Sequence, residues 1–135
     1  MLAVQVGDAA RVSLTVGTVD TAIAHESGNV PALSTPRVLA LMEKAAAQAV
    51  APSLDAADTT VGVSAELTHS VAIPIGGQVV AEARVAGLDG RNIDFDITVV
   101  DEATGKEVAT GHHRRVVVDY ARFVRRLTPE TEPGH

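Results

Sequence analysis

His69 is the residue of this sequence best suited to acid–base chemistry. The positions around it alternate between apolar and polar types, and His69 falls on the apolar side between Leu67 and Val71, as in a half-buried strand. An imidazole in that place is either a core residue held by a backbone carbonyl or a general base. The residue taken alone leaves both interpretations open.

Glu43 is a second ionisable residue at the edge of an apolar surface. In a helical projection it lies beside Leu39, Ala46 and Val50, where an unpaired carboxylate would be costly to bury. The alternative is a solvated position on the flank of the helix. If this helix packs on the strand of His69, the two groups are better explained as partners. A histidine–carboxylate pair in an apolar wall is a general-base arrangement.

Thr35 is the third candidate, at the start of the same helix. Ser34 or Thr35 could cap the helix, since Pro36 follows at a position that favours proline. Thr35 also projects toward the buried side, and a helix start offers N–H groups to an oxyanion. Threonine, histidine and glutamate could thus act as a nucleophile or water-positioning group, a base and the group that orients the base.

Helix geometry limits how these three residues can meet. Eight helical residues rise about 12 Å, so Thr35 and Glu43 cannot touch if all of that segment is helical. Three solutions remain open: His69 reaches both residues, the helix begins after Thr35, or a partner subunit supplies one group.

Two further features could bind a ligand. Gly62 lies seven residues before His69, on the polar face by simple alternation, and could permit close approach of a ligand or mark a bulge or edge. A basic cluster is either a solvated face or the one place where this acidic chain could hold several phosphates; it comprises His112, His113, Arg114, Arg115, Arg122, Arg125 and Arg126. No cysteine or carboxylate spacing accompanies the histidines, so we predict no metal and no cofactor.

The elements that must position these residues are one helix and five strands. An amphipathic helix is predicted over 37–50, with Leu39, Met42, Ala46, Ala49 and Val50 on its buried side. Period-two alternation predicts strands near 10–16, 61–73, 79–85, 93–99 and 107–120, and residues 17–33 are predicted to form a loop or lid. A long antiparallel five-stranded sheet wrapped around one central helix is an α+β arrangement, the hotdog fold. One helix covers little of such a sheet, so we expect a homodimer or a higher homo-oligomer.

Composition narrows the class of protein. The 135 residues fit one domain, predicted over 1–125, with a flexible C-terminal tail over 126–135. Hydrophobic residues make up 46% of the chain, which argues against disorder, and the net charge of -6 argues against a general nucleic-acid binder. No apolar run approaches the length of a membrane span, and the first residues lack the pattern of a signal peptide. We therefore expect a cytoplasmic protein without a membrane or nucleic-acid partner.

The candidate site residues and the sequence around them resemble the fluoroacetyl-CoA thioesterase family of hotdog proteins. The resemblance runs from about Gly7 to Phe123 and is carried by Ser34-Thr35-Pro36-Arg37-Val38-Leu39-Ala40-Leu41-Met42-Glu43, by Gly62 and by Thr68-His69-Ser70. It implies that Thr35, Glu43 and His69 are catalytic, that Gly62 lies near the thioester and that Arg115 is a ligand-side arginine that binds substrate.

The resemblance implies an acyl-CoA thioesterase that yields a carboxylic acid and CoA. The lid residues His25-Glu26-Ser27-Gly28-Asn29-Val30 contain no aromatic side chain and Lys44 follows Glu43, which departs from the aromatic surroundings of the fluoroacetyl-specific enzyme and favours another short- or medium-chain acyl group. Arg115, with Arg91, Arg122 or Arg125, is expected to meet the phosphates of CoA. The alternatives are a hotdog hydratase or dehydratase acting on enoyl thioesters, and a non-catalytic acyl-CoA-binding module.

Overall fold

The structure is a computed structural model that describes residues 3–128. The elements in chain order are β1 (Ala9–Thr15), α1 (Thr35–Val50), β2 (Asp58–His69), β3 (Gln78–Asp89), β4 (Asn92–Asp101), β5 (Glu107–Asp119) and α2 (Tyr120–Leu127). Short 3-10 turns cover Thr18–Asp20 and Ala51–Ser53. Neither α1 nor α2 has the length and apolar composition that crossing a membrane requires.

The five strands form one antiparallel sheet in the order β1-β3-β4-β5-β2. The hairpins β3–β4 and β4–β5 turn at Gly90 (φ 60°) and Gly105 (φ 72°), where the left-handed backbone favours glycine. Helix α1 packs chiefly on β1 and β3, around a core that includes Leu41, Met42 and Phe95. The predicted hotdog arrangement is confirmed, and it leaves β2 at an edge of the sheet.

Helix α1 begins two residues earlier than predicted from its apolar pattern. Ser34 is the cap, because its Oγ accepts a hydrogen bond from the Arg37 N–H at 3.1 Å, and Thr35 is the first helical residue. The predicted burial of Thr35 is wrong: Thr35 is exposed, and Leu39 and Glu43 are partly exposed. These three residues are spaced by four, so they form one row along the open flank of the helix.

A β-bulge in β2 changes which residues face the helix. The pairing with β5 shifts register between Gly62 and Ser64, so Val63 is an extra residue, and it is 57% exposed. As a result Thr60 and Gly62 share the inner face with His69. Simple alternation placed Val61 and Val63 on that face and Gly62 on the other, and that prediction is wrong. The strand also ends at His69 rather than at Ile73.

The C-terminal segment contains a helix that the sequence pattern did not predict. Strand β5 ends at Asp119, whose carboxylate accepts a hydrogen bond from the Arg122 N–H at 2.9 Å and caps α2. The helix continues through Leu127, so residues 126 and 127 of the predicted tail are helical. Thr128 follows as the C-cap of α2, and residues 129–135 of that tail lie outside the described residues.

Candidate active site

Thr35 and His69 form a direct hydrogen bond. Thr35 Oγ1 lies 2.9 Å from His69 Nδ1, and His69 Nε2 lies 3.0 Å from the carbonyl oxygen of Val71. A carbonyl only accepts, so Nε2 carries the ring proton, Nδ1 is the acceptor and the Thr35 hydroxyl donates to it. The imidazole is therefore in the tautomer that can take a proton from Thr35.

The segment before α1 holds Thr35 in place. Asp20 is buried, accepts from the Gly17 N–H at 2.8 Å and accepts from Arg37 Nε at 2.8 Å. The Asp20 carbonyl also accepts from the Ser34 N–H at 2.9 Å. Because Ser34 provides the cap, the hydroxyl of Thr35 is left for His69. The predicted lid is thus anchored to the start of the helix by one buried carboxylate.

Glu43 does not pair with His69 within one chain. Glu43 Oε2 lies 3.5 Å from Arg115 Nη1 and 4.0 Å from His113 Nε2, and the carboxylate side chain is 42% exposed. Both ring nitrogens of His69 are already bonded, to Thr35 and to Val71. The helix is continuous from Thr35 to Glu43, which separates them by about 12 Å. The predicted His69–Glu43 pair is therefore wrong for a single protomer.

Arg115 is directed into the protein, with 9% of its surface exposed. Its Nε donates to Thr60 Oγ1 at 2.8 Å, Nη2 donates to the Thr60 carbonyl at 3.0 Å and Nη1 donates to His113 Nε2 at 3.1 Å. Burial lowers the pKa of Arg115, while the Glu43 carboxylate acts in the opposite direction. Because Arg115 is buried and three of its five N–H donors bond within the chain, this geometry does not support the expected contact of Arg115 with the phosphates of CoA.

Gly62 makes room for the Glu43 carboxylate. A Cβ atom at this position would lie 2.8 Å from Glu43 Oε2 and 3.3 Å from His113 Cε1. The glycine also stands at the register shift of β2. Close approach and a bulge, the two alternatives open from the sequence, both apply, and the group that approaches is the chain's own carboxylate.

His113 is a site residue that the sequence interpretation missed. It belongs to the basic cluster for which the sequence allows a solvated face or a phosphate site, but it is 4% exposed and its ring stacks on Phe95 with centroids 6.1 Å apart. Alternation along β5 carries the missing signal, because it places His113 and Arg115 on the same face as the buried Val117. His112 and Arg114 lie on the other face and pair there with carboxylates of β4, Asp96 and Asp94.

The remaining arginines lie elsewhere. Arg91 and Arg122 line an open surface cavity together with Arg126, beside Asp58 at the start of β2. Arg91 donates to the Val117 carbonyl at 2.9 Å and lies 3.5 Å from the Asp58 carboxylate. The basic cluster of the sequence is therefore divided between the interior, the outer sheet face and this cavity.

Comparison with known proteins identifies relatives of this chain. The family model for the fluoroacetyl-CoA-specific thioesterase matches residues 16–121. The fluoroacetyl-CoA thioesterase of Streptantibioticus cattleyicolor is 28% identical over 101 residues, which are 75% of this chain and 71% of that protein.

Solved structures agree on the fold. A structure of the fluoroacetyl-CoA thioesterase FlK superposes with a TM-score of 0.86 at 23% identity, over 96% of this chain and 98% of the other. A thioesterase superfamily member from Thermus thermophilus superposes with a TM-score of 0.83 at 24% identity, over 94% and 95% of the two chains. The chain therefore belongs to the fluoroacetyl-CoA-specific thioesterase family, a family of hotdog-fold thioester hydrolases.

Proposed function

We propose that the protein hydrolyses short- or medium-chain acyl-CoA thioesters to the carboxylic acid and CoA. The observation that carries the proposal is the 2.9 Å hydrogen bond from the Thr35 hydroxyl to His69 Nδ1. A hydroxyl paired with an acceptor imidazole is the arrangement that activates an oxygen nucleophile. The family relationship supports thioester hydrolysis, and the acyl chain length is part of the proposal.

In the proposed reaction His69 removes a proton from Thr35, or from a water molecule that Thr35 positions. The activated oxygen attacks the thioester carbonyl carbon, and the positive end of the α1 dipole at Thr35 stabilises the oxyanion. The C–S bond then breaks, and the CoA thiolate takes the proton from the imidazolium of His69. If Thr35 is the nucleophile, a water molecule hydrolyses the acyl-threonine in a second, equivalent step.

Glu43 enters this reaction through a homodimer. Strand β2 is an edge strand of the sheet, so one side of its backbone presents N–H and C=O groups that a second strand can pair. Along this strand Gly62 and His69 are about 20 Å apart. Because Val63 is an extra residue, six register steps separate Gly62 from His69. If two copies of β2 pair antiparallel around a two-fold axis at Glu66, midway between them, His69 therefore faces Gly62 of the partner subunit. Glu43 of the partner subunit then joins the Thr35–His69 pair, and each site takes residues from both chains.

The substrate's phosphates are proposed to bind outside this centre. Arg91, Arg122 and Arg126 converge on one open cavity, and arginine is well suited to phosphate. Arg125, which was also expected to meet the phosphates, is exposed on α2, the helix that carries Arg122 and Arg126. The cytoplasmic location expected from the sequence stays a prediction.

Release of free thiol from a panel of acyl-CoAs tests the proposed function. The panel contains short, medium, aryl and fluorinated acyl groups, and the His69→Ala variant is the control. Thiol release that His69→Ala abolishes is the expected result, and the panel then ranks the acyl groups. If no thiol appears and enoyl-CoA is hydrated instead, the protein is a hydratase. Binding without either reaction would indicate an acyl-CoA-binding module.

A further inference from the structure

His113 is a buried histidine that the proposed reaction does not use. It lies on the inner face of β5, and its Nδ1 is 2.8 Å from the carbonyl oxygen of Ser64. Ser64 follows Val63, the extra residue of the β2 bulge. On the other side of the ring, Nε2 is 3.1 Å from Nη1 of Arg115. The ring thus connects the bulge to the arginine that faces Glu43.

Both contacts require the same tautomer of His113. The Ser64 carbonyl can only accept, so Nδ1 carries the proton; a guanidinium can only donate, so Nε2 must be a bare acceptor. Burial lowers the pKa of His113 and the positive charge of Arg115 acts in the same direction, whereas the Ser64 hydrogen bond and the Glu43 carboxylate have opposite effects, each smaller than that of burial. The neutral ring therefore has its single donor and its single acceptor satisfied.

The contacts of Arg115 show how the acceptor Nε2 of His113 affects the site. Thr60 holds Nε and Nη2 of the guanidinium, while Nη1 lies between His113 Nε2 and Glu43 Oε2, at 3.1 and 3.5 Å. Without an acceptor at Nε2, the carboxylate would be the one partner left to Nη1, and within the described part of this chain the planar guanidinium would be held by Thr60 alone. Glu43 itself is partly exposed and has a flexible side chain, so its position over Gly62 depends on a fixed cation.

We propose that His113 is a positioning residue for the reaction. By accepting from Nη1 it fixes the guanidinium of Arg115, and the fixed guanidinium holds the Glu43 carboxylate over Gly62. The inference rests on the proposed function in one respect, namely that Glu43 takes part in catalysis.

The neutral form of the ring is essential to this role. The groups that face His113 are Glu43 from α1, Arg115 on its own strand, the Ser64 carbonyl and Gly62 from β2, and the Phe95 ring from β4. Protonation would replace the acceptor at Nε2 by a second donor pointing at a guanidinium. An imidazolium would therefore turn the Arg115–His113 contact from an attraction into a repulsion.

Three substitutions of His113 separate the acceptor from the bulk of the ring. His113→Gln keeps one donor and one acceptor at the distance of Nε2. His113→Asn keeps a donor near Nδ1 and removes the acceptor. His113→Phe keeps the ring shape and removes both. His112→Phe is the matched control, because His112 is the adjacent residue on the outer face, paired with Asp96.

The expected result is a loss in kcat with little change in KM. We expect His113→Phe and His113→Asn to lower kcat about 10- to 100-fold, as a misplaced catalytic group does, whereas His113→Gln and His112→Phe keep most of the activity. In a Glu43→Gln background, His113→Phe should have little further effect, because the two changes act through one path. If circular dichroism shows that His113→Phe does not fold, His113→Asn replaces it in this double-mutant comparison with Glu43→Gln.

Two outcomes would overturn the inference. One is a folded His113→Phe or His113→Asn variant with the wild-type kcat, while Glu43→Gln is impaired. The other is an equal loss from His113→Phe with and without Glu43, which indicates a purely structural role. The proposed function fails separately, if the wild-type protein releases no thiol from any acyl-CoA.

Discussion

Glu43 and Arg115 form an ion pair, with Oε2 of the carboxylate 3.5 Å from Nη1 of the guanidinium. Glu43 lies on α1 and Arg115 on β5. Their ion pair is separate from the Thr35–His69 pair, which joins the start of α1 to the end of β2. The residues implied to be catalytic are therefore divided into two groups within one chain: a hydroxyl–imidazole pair at the start of α1, and a carboxylate held by a buried cation in its middle. This division leads to the predictions below.

The Thr35 hydroxyl is expected to be essential. Thr35→Ala removes the donor to His69 Nδ1 and should lower kcat about 100-fold or more, whereas Thr35→Ser retains the hydroxyl and measurable turnover. Mass spectrometry of the quenched wild-type reaction then distinguishes the two forms of the mechanism. A mass increase equal to the acyl group, located on the peptide that contains Thr35, identifies Thr35 as the nucleophile. Wild-type turnover in Thr35→Ala would contradict both forms.

Mixing two strongly impaired variants tests whether the site is shared between subunits. In a mixed dimer of His69→Ala and Glu43→Gln chains, one composite site carries both substitutions and the other carries neither. After subunit exchange, an equal mixture should regain about a quarter of the wild-type activity. Sites contained within single chains would regain none. Sedimentation of the wild-type protein provides the independent check, since a monomer with full activity excludes this arrangement.

Substitution of Gly62 should displace Glu43. The Cβ of Gly62→Ala would lie 2.8 Å from Glu43 Oε2, and the end of that flexible side chain is the part able to move. We expect kcat to fall about 10-fold or more, with only a small change in the unfolding midpoint. Gly87→Ala is the matched control on β3, because its Cβ meets nothing closer than 3.9 Å. Equal activity of the two variants would show that the carboxylate position is not important.

Substitution of Gly111 should instead affect stability. Its Cβ would collide with the Glu66 carbonyl oxygen and lie 2.7 Å from Met42 Cε, and the backbone group cannot yield as a side-chain end can. We expect Gly111→Ala to lower the free energy of unfolding by about 1 to 3 kcal/mol. Urea unfolding measures the change, and Gly87→Ala again serves as the reference. A midpoint equal to that of the reference would contradict the packing shown here.

The stability should fall on mild acidification because of His113. Burial lowers the pKa of this residue in the folded protein below its ordinary value of 6.5, so the unfolded chain binds more protons in that interval. The free energy of unfolding therefore decreases as the pH falls through about 6.5 toward the lower folded pKa. Urea unfolding between about pH 7.5 and about pH 5 measures the slope. His113→Gln should have a shallower slope, and an unchanged slope would assign the effect to other groups.

Local periodicity was enough to predict the order of elements from β1 to β5 and the hotdog fold, but not α2. Apolar positions repeat every second residue in the strands and with the helical period in α1, and these repeats follow from the geometry of each element alone. The helix start at Ser34-Thr35-Pro36 is likewise determined by neighbouring residues, through a cap and a proline. The helix start that carries Thr35 could thus be predicted from the sequence, whereas the contacts of Asp20 that hold it in place could not.

The partners of the functional side chains depended on the tertiary structure. A bulge at Val63 reverses the alternation of β2, and valine gives no local sign of it, so Gly62 and Thr60 turn inward unexpectedly. The run from His112 to Arg115 has the composition of a solvated surface, yet the sheet buries every second member beside Glu43. Which polar groups share an interior is settled by packing between elements far apart in the chain, because burial penalises any charge that lacks a partner there.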